Sequence, residues 1–147
     1  MSRLEFRRAE EKDAALILRF IRELAAYEKL SDQVVATEPL LREWIFEKKK
    51  AEVLFPLENG EEVGFALFFH NFSTFLGRAG LYLEDLYISP EYRGKGYGKA
   101  TLQKLAQIAV ERGCGRLEWS CLDWNKPSID FYLSLGQSPW KSGRCTA

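Results

Sequence analysis

The sequence has no excess of either charge: 21 Lys and Arg stand against 21 Asp and Glu over 147 residues. A nucleic-acid binder is expected to be clearly basic, and local runs such as Glu47-Lys48-Lys49-Lys50 read as a solvated helix end. Cysteine is scarce. Cys114, Cys121 and Cys145 are odd in number and none is spaced as CxxC, which argues against a disulfide framework and against a zinc site. His70 is the only histidine, so a Ser-His-Asp or Cys-His mechanism would have to run through it; it lies in the apolar run VGFALFFHNF and reads as structural. No apolar stretch is long enough to span a bilayer, and the opening MSRLEFRRAEEKD is too charged for a secretory leader. The expectation is a reduced, cytoplasmic protein that contacts neither nucleic acid nor membrane and holds no metal.

With 46% apolar and 29% charged residues, the composition suits one globular domain over 1–147. LEFR reads as a strand with Leu4 and Phe6 on one face. Ile17, Phe20, Ile21 and Leu24 follow at helical spacing, behind acidic Glu10, Glu11 and Asp13. Thr37-Glu38-Pro39 opens a second helix whose inner face is expected to carry Leu40 or Leu41, Trp44 and Ile45. AEVLFPLENGEEVGFALFFH predicts a hairpin turning at Asn59-Gly60, with Val53, Phe55 and Leu57 alternating before it and Val63, Phe65, Leu67 and Phe69 after it. FSTFLGRAG reads as a loop. LYLEDLYI is a strand with Glu84 and Asp85 on opposite faces. Leu102, Leu105, Ala106 and Ala109 form a helical stripe ending near Gly113; RLEWSCL is a further strand, and Pro127 opens a last helix capped by Gly136. The order β-α-α-β-β-β-α-β-α is that of a single α/β (α+β) unit.

The chemistry concentrates in EYRGKGYGKA, Glu91 to Ala100, which follows a strand and opens a helix. Unpaired N–H groups at a helix start suit an anion. Two nucleotide motifs fail by register. Counting back from Gly98-Lys99 puts Arg93 where a P-loop needs glycine, and Ala100 replaces its metal-binding hydroxyl. Gly94, Gly96 and Gly98 read GxGxG rather than the GxGxxG of a dinucleotide fold.

What remains, Arg93-Gly94-Lys95-Gly96-Tyr97-Gly98, resembles the [Q/R]-x-x-G-x-[G/A] pattern of the GNAT acyl-CoA N-acyltransferases, and the likeness runs from LEFRRAEEKD through FYLSLG. ELAAYEKLSDQVVAT, LYLEDLYISPEYRGKGYG and DWNKPSIDFY are similar to the diamine (spermidine/spermine) acetyltransferase branch and its thialysine-acetylating relatives. The resemblance implies a GNAT fold: a mixed central sheet with helices on both faces and a splayed strand pair holding acetyl-CoA. It implies that the N–H groups of Gly94, Lys95, Gly96, Tyr97, Gly98 and Lys99 cradle the pyrophosphate, with charge added by Arg93 and Lys95. The backbone of Leu86, Tyr87 and Ile88 would pair with pantetheine as a substitute strand. Asn125, Lys126, Pro127 and Ser128 would make further contacts with the cofactor. Tyr132 matches the general acid that protonates the departing thiolate, and Glu84 the catalytic glutamate, acting as base through water. Tyr27, Glu28, Glu84, Glu118, Trp119 and Ser120 match substrate contacts, and the three glutamates would make an acidic lane for a small diamine, polyamine or thialysine-like amine.

Members of the family are typically homodimers, so a homodimer is expected. Two other readings stay open here: an acetyltransferase for another amine, such as a protein N-terminus, and a CoA-binding module with little turnover. The likeness stops after Gly136. The family continues with a strand containing a Trp-Thr-Val-Tyr-Arg-like segment, whereas this chain reads QSPWKSGRCTA. Codons for Pro139 to Ala147 can be chosen so that a shifted frame reads Met-Glu-Glu-Trp-Thr-Val-Tyr, which makes a frameshift the expected origin of the tail over 137–147. Sequencing the coding DNA tests it. The strand RLEWSCL is accordingly expected to lack its terminal neighbour and to leave an unpaired edge.

Overall fold

The computed structural model describes residues 4–122 and 141–146, with side chains through residue 119. In chain order these residues form β1 (Leu4–Arg8), α1 (Ala14–Tyr27), α2 (Glu38–Leu41), β2 (Glu52–Glu58), β3 (Glu61–Glu62), β4 (Gly64–Ser73), β5 (Arg78–Ile88), α3 (Tyr97–Glu111), β6 (Leu117–Leu122) and β7 (Lys141–Thr146). The strands follow the order β1-β2-β4-β5-β6-β7, with β3 paired to β2. β1 and β2 run antiparallel, β5 and β6 parallel, so the sheet is mixed. Among the described residues no helix is long and apolar enough to cross a membrane, and no cluster of His, Cys, Asp and Glu could hold a metal ion.

Two compact units divide the chain: Met1–Leu67 with Asp85–Gly98, and Phe68–Glu84 with Lys99–Ala147. In the first, Ile17 and Phe20 of α1 pack with Ile45, Val53, Phe55, Phe65 and Tyr87. The Phe20 ring stacks on Phe65 with centroids 5.9 Å apart. Phe20, Phe55 and Phe65 are fully buried, each contributing about 1.5–3 kcal/mol by leaving water. Asp13, just ahead of α1, is buried and held by a two-pronged Arg7 guanidinium at 2.8 and 2.9 Å and by the Glu10 N–H at 2.7 Å. That guanidinium bond holds the Asp13 carboxyl below its ordinary range. Asn59 and Gly60 take φ of 52° and 83°, the two-residue hairpin turn their identities predict, and β2 meets β3 at Leu57↔Glu62 and Glu58↔Glu61.

In the second unit the α3 stripe is buried as its spacing predicts, at Leu102, Leu105, Ala106 and Ala109. Phe68, Leu81, Leu83, Leu117 and Trp119 supply the buried apolar side chains of the strands. The β5–β6 ladder runs Leu81↔Leu117, Tyr82↔Glu118 and Leu83↔Trp119. It stops there among the described residues, although β5 continues through Ile88 and β6 through Leu122.

Three expectations change. Trp44 lies 47% exposed instead of facing inward, while Ile45 is buried and, of Leu40 and Leu41, Leu41 is the one that packs against the core. The cause is the winding: residues Arg42–Glu47 form a π-helical turn, whose greater number of residues per turn keeps Leu41 and Ile45, four apart, on the inner side and turns Trp44 off it. The connection after His70 is shorter than its composition suggests, because β4 runs on through Ser73 and β5 begins at Arg78. Finally, β6 does have a neighbour. β7 pairs with it in parallel along its length, from Leu117↔Lys141 to Leu122↔Thr146. An unpaired edge accepts any segment that offers a full row of N–H and C=O groups, and residues 141–146 contain no proline. The last expected helix, from Pro127, lies outside the described residues.

Candidate functional site

Within the first unit, β5 ends at Ile88, Pro90–Tyr92 make one tight turn, and the chain reaches α3 through the glycines. Gly94 and Gly96 both sit at φ +80°, a backbone that costs a residue with a side chain about 1–2 kcal/mol. A Cβ added to either would meet nothing within 4 Å. Glycine is therefore required by the backbone and not by crowding, and the space beside it is open to a guest.

The residues between the glycines are anchors. Arg93 donates from Nε to the Ile88 carbonyl at 2.7 Å, and its guanidinium lies 4.5 Å from the Tyr27 ring centre and 5.3 Å from that of Tyr87. Lys95 reaches back to the Glu58 carboxylate at 3.2 Å. Tyr97, buried at the start of α3, donates its hydroxyl to the same Glu58 oxygen. Odd positions thus tie the loop down while the glycines between them leave it open. Lys99 is exposed in the first turn of α3, and Gly98 is half-buried beside it.

Leu86 and Ile88 are half-buried, and Tyr87 is buried. The Tyr87 hydroxyl donates to Glu23 at 3.2 Å. Burial first, then the Glu23 carboxylate, pushes the phenol up to about 12, which keeps it a hydrogen-bond donor and unsuits it to proton transfer near neutrality. Gly64 lies so close to this strand that a Cβ would fall 2.0 Å from the Tyr87 carbonyl oxygen. Tyr27 ends α1 and Glu28 caps it, both half-buried.

In the second unit Glu84 is exposed on β5, and among the described residues no hydrogen bond or ion pair engages its carboxylate. Glu118 is different. Its Oε1 accepts from Asn71 Nδ2 at 2.9 Å and lies 2.8 Å from Arg116 Nε. Much of its charge is therefore already answered within the protein. Trp119 is buried, and Ser120 follows it in β6. His70 is exposed on β4, with its Nε2 3.4 Å from Arg112 Nη1. Asn125, Lys126, Pro127, Ser128 and Tyr132 lie outside the described residues.

The sequence reading missed Glu58, Asn71 and Arg116. Glu58 ends β2 immediately before the Asn59-Gly60 turn, where an acid looks like ordinary hairpin polarity. Only the fold brings it to residues 95 and 97.

Comparison with known proteins gives a consistent set of relatives. The profile of the acetyltransferase (GNAT) family matches residues 18–137. The chain is 44% identical over 147 residues to a thialysine N-epsilon-acetyltransferase of Bos taurus, covering 92% of this chain and 85% of that one. It is 34% identical over 144 residues to a spermidine/spermine N(1)-acetyltransferase-like protein 1 of Homo sapiens, covering 92% of this chain and 21% of that one. In structure it is similar to an aminoglycoside acetyltransferase from an uncultured soil metagenomic sample, with a TM-score of 0.78 at 19% identity over 91% of this chain and 88% of that one, a likeness of fold alone.

Proposed function

The chain belongs to the acetyltransferase (GNAT) family, and from that premise we propose that it transfers the acetyl group of acetyl-CoA to the primary amine of a thialysine-like amino acid, a small diamine or a polyamine. The observation that carries the reading is the loop Arg93–Gly98, whose two left-handed glycines leave open space between three anchored side chains. The relatives that act on thialysine support the choice of amine.

In this reading the backbone does most of the work of binding the pyrophosphate, since Arg93 and Lys95 are engaged by partners inside the protein. The N–H groups from Gly94 to Lys99, with the positive end of α3 behind them, face the anion. Leu86, Tyr87 and Ile88 lie past the described β5–β6 pairs, where the pantetheine arm would lie alongside their backbone, with the Ile88 carbonyl already engaged by Arg93. Asn125, Lys126, Pro127 and Ser128 complete the cofactor site.

The chemistry needs two protons to leave the amine nitrogen and one to reach the departing thiolate. An alkylammonium with a pKa of about 10 must lose a proton before it can attack. Glu84 accepts that proton through a water. The amine nitrogen then bonds to the thioester carbonyl carbon, the C–S bond breaks, the nitrogen releases its second proton to water as the amide forms, and Tyr132 gives the leaving thiolate its proton and regains one from solvent. No metal or covalent enzyme intermediate takes part. Tyr27, Glu28, Trp119 and Ser120 line the amine, and Glu118 contributes to its charge only so far as Arg116 and Asn71 leave it free. The enzyme acts as a cytoplasmic homodimer. Mass spectrometry of thialysine after incubation with enzyme and acetyl-CoA tests the reading. One added acetyl group on the side-chain amine is expected, and unchanged amine from a sample that binds CoA would refute it.

A further inference from the structure

We propose that Glu58 is a positioning residue for the cofactor loop: it holds the glycine turn in its receptive shape through Tyr97 and parks Lys95 until an anion arrives. The proposal rests on reading that loop as the pyrophosphate cradle of acetyl-CoA.

Glu58 is itself firmly placed. It is the last residue of β2, and its backbone is paired on both sides, with Leu4 of β1 and Glu61 of β3. Its side chain is only 12% exposed. A single oxygen, Oε2, takes both the Tyr97 hydroxyl, at 2.5 Å, and the Lys95 ammonium, at 3.2 Å. The Tyr97 hydroxyl bond is the foremost single influence holding the Glu58 carboxyl below its usual range, and Lys95 adds a hydrogen bond and its charge. The ammonium also lies 5.5 Å from the Tyr92 ring centre and 5.9 Å from that of Tyr97, folded back over the loop's own aromatics. A charge-assisted hydrogen bond to a buried ring at the first residue of α3 fixes where that helix begins, and with it the N–H groups that follow. The lysine pair is the exposed, weaker member, with Lys95 46% exposed, and it can exchange Glu58 for a phosphate at little cost.

The two parts respond differently to substitution. Glu58→Ala removes the tether. CoA binding measured by calorimetry is expected to weaken about five- to tenfold, the scale of one charge-assisted hydrogen bond. KM for acetyl-CoA rises in step while kcat at saturation and KM for the amine hold. Glu58→Gln keeps an acceptor for Tyr97 and releases Lys95, so CoA binds at least as tightly as to the wild type. Tyr97→Phe loses the same bond but leaves Lys95 on Glu58, so it weakens CoA binding at least as much as Glu58→Ala, and the double variant is no weaker than Tyr97→Phe because the shared bond is lost only once. S-acetylpantetheine, which lacks the pyrophosphate, is used equally well by wild type and Glu58→Ala.

Several outcomes would overturn this. A wild type that fails to bind CoA removes the reading of the loop, and the proposal with it. If the wild type binds CoA and Glu58→Ala binds it equally well, the proposal alone fails. Equal weakness of Glu58→Gln and Glu58→Ala would place the effect on the charge and refute the tether. Should Glu58→Ala not fold, Tyr97→Phe carries the same comparison with the ring retained, and unchanged affinity in it is equally fatal.

Discussion

Gly64→Ala isolates the link between packing and cofactor binding. Gly64 opens β4 with no left-handed backbone, so an alanine there suffers no conformational strain of its own. Its Cβ would nevertheless stand 2.0 Å from the Tyr87 carbonyl oxygen and 3.0 Å from the Ile88 Cα. Ordinary contact needs roughly 3.5 Å, so the strands must part by more than about 1 Å, and both obstructing atoms are backbone. They cannot swing aside as a side chain does. Val63, next door, is bonded to the same segment through its carbonyl, which accepts from Ser89 N–H at 2.8 Å. Overpacking of this kind costs about 1–3 kcal/mol, and the fixed backbone argues for the upper end. At roughly 2–4 °C per kcal/mol for a chain of this size, Tm should fall by about 6–12 °C. The displaced segment is also the one that offers its backbone to pantetheine, so CoA affinity should drop in protein that is still folded at 20–25 °C, the temperature range of an ordinary assay. Differential scanning calorimetry with CoA titration measures both. A Tm within about 1 °C of wild type, with unchanged CoA affinity, would refute the packing argument.

Three further predictions follow from the same contacts. Arg93→Ala loses two ring contacts of about 0.5–1 kcal/mol each and one hydrogen bond of about 1 kcal/mol, so CoA affinity should fall by up to roughly 30- to 150-fold; Arg93→Lys should not rescue it, because an ammonium cannot lie flat between Tyr27 and Tyr87 while donating to Ile88, and full rescue by lysine would show that charge alone matters. The Asp13 carboxyl is depressed in the folded protein by Arg7, so its contribution to stability is complete above the unfolded value of about 3.9 and is lost as pH falls through the lower folded value; urea midpoints of wild type and Asp13→Asn should converge below about pH 4, and a gap independent of pH would contradict the pairing. Tyr132→Phe should lower kcat with little change in CoA affinity, and an unchanged kcat would remove Tyr132 from the general-acid role.

The sequence reading and the structure agree wherever a local rule decides the outcome. Asn59-Gly60 turns because both residues accept positive φ, and Gly94 and Gly96 mark the loop because nothing else adopts +80° there cheaply. The α1 and α3 stripes follow from spacing alone. What escaped the sequence was decided by partners distant in the chain or by departures from regular winding. Trp44 faces out because of a π-helical turn that no periodicity announces. Glu118 looked like a free acid until Asn71, 47 residues away, and Arg116 were seen beside it. Lys95 looked like a phosphate ligand, and only the course of β2 reveals Glu58 beside it. β7 carries little of the β-branched and aromatic character that usually signals a strand, and it pairs because the β6 edge was available.

The most direct test of the central claim is acetyl-CoA-dependent thiol release by the purified protein against thialysine, lysine, spermidine, a short diamine and a peptide with a free N-terminus. Turnover with the small amines, thialysine foremost, and little with the peptide is the predicted result. A folded sample that binds CoA yet releases no thiol with any small amine, or that acts on the peptide alone, would contradict it.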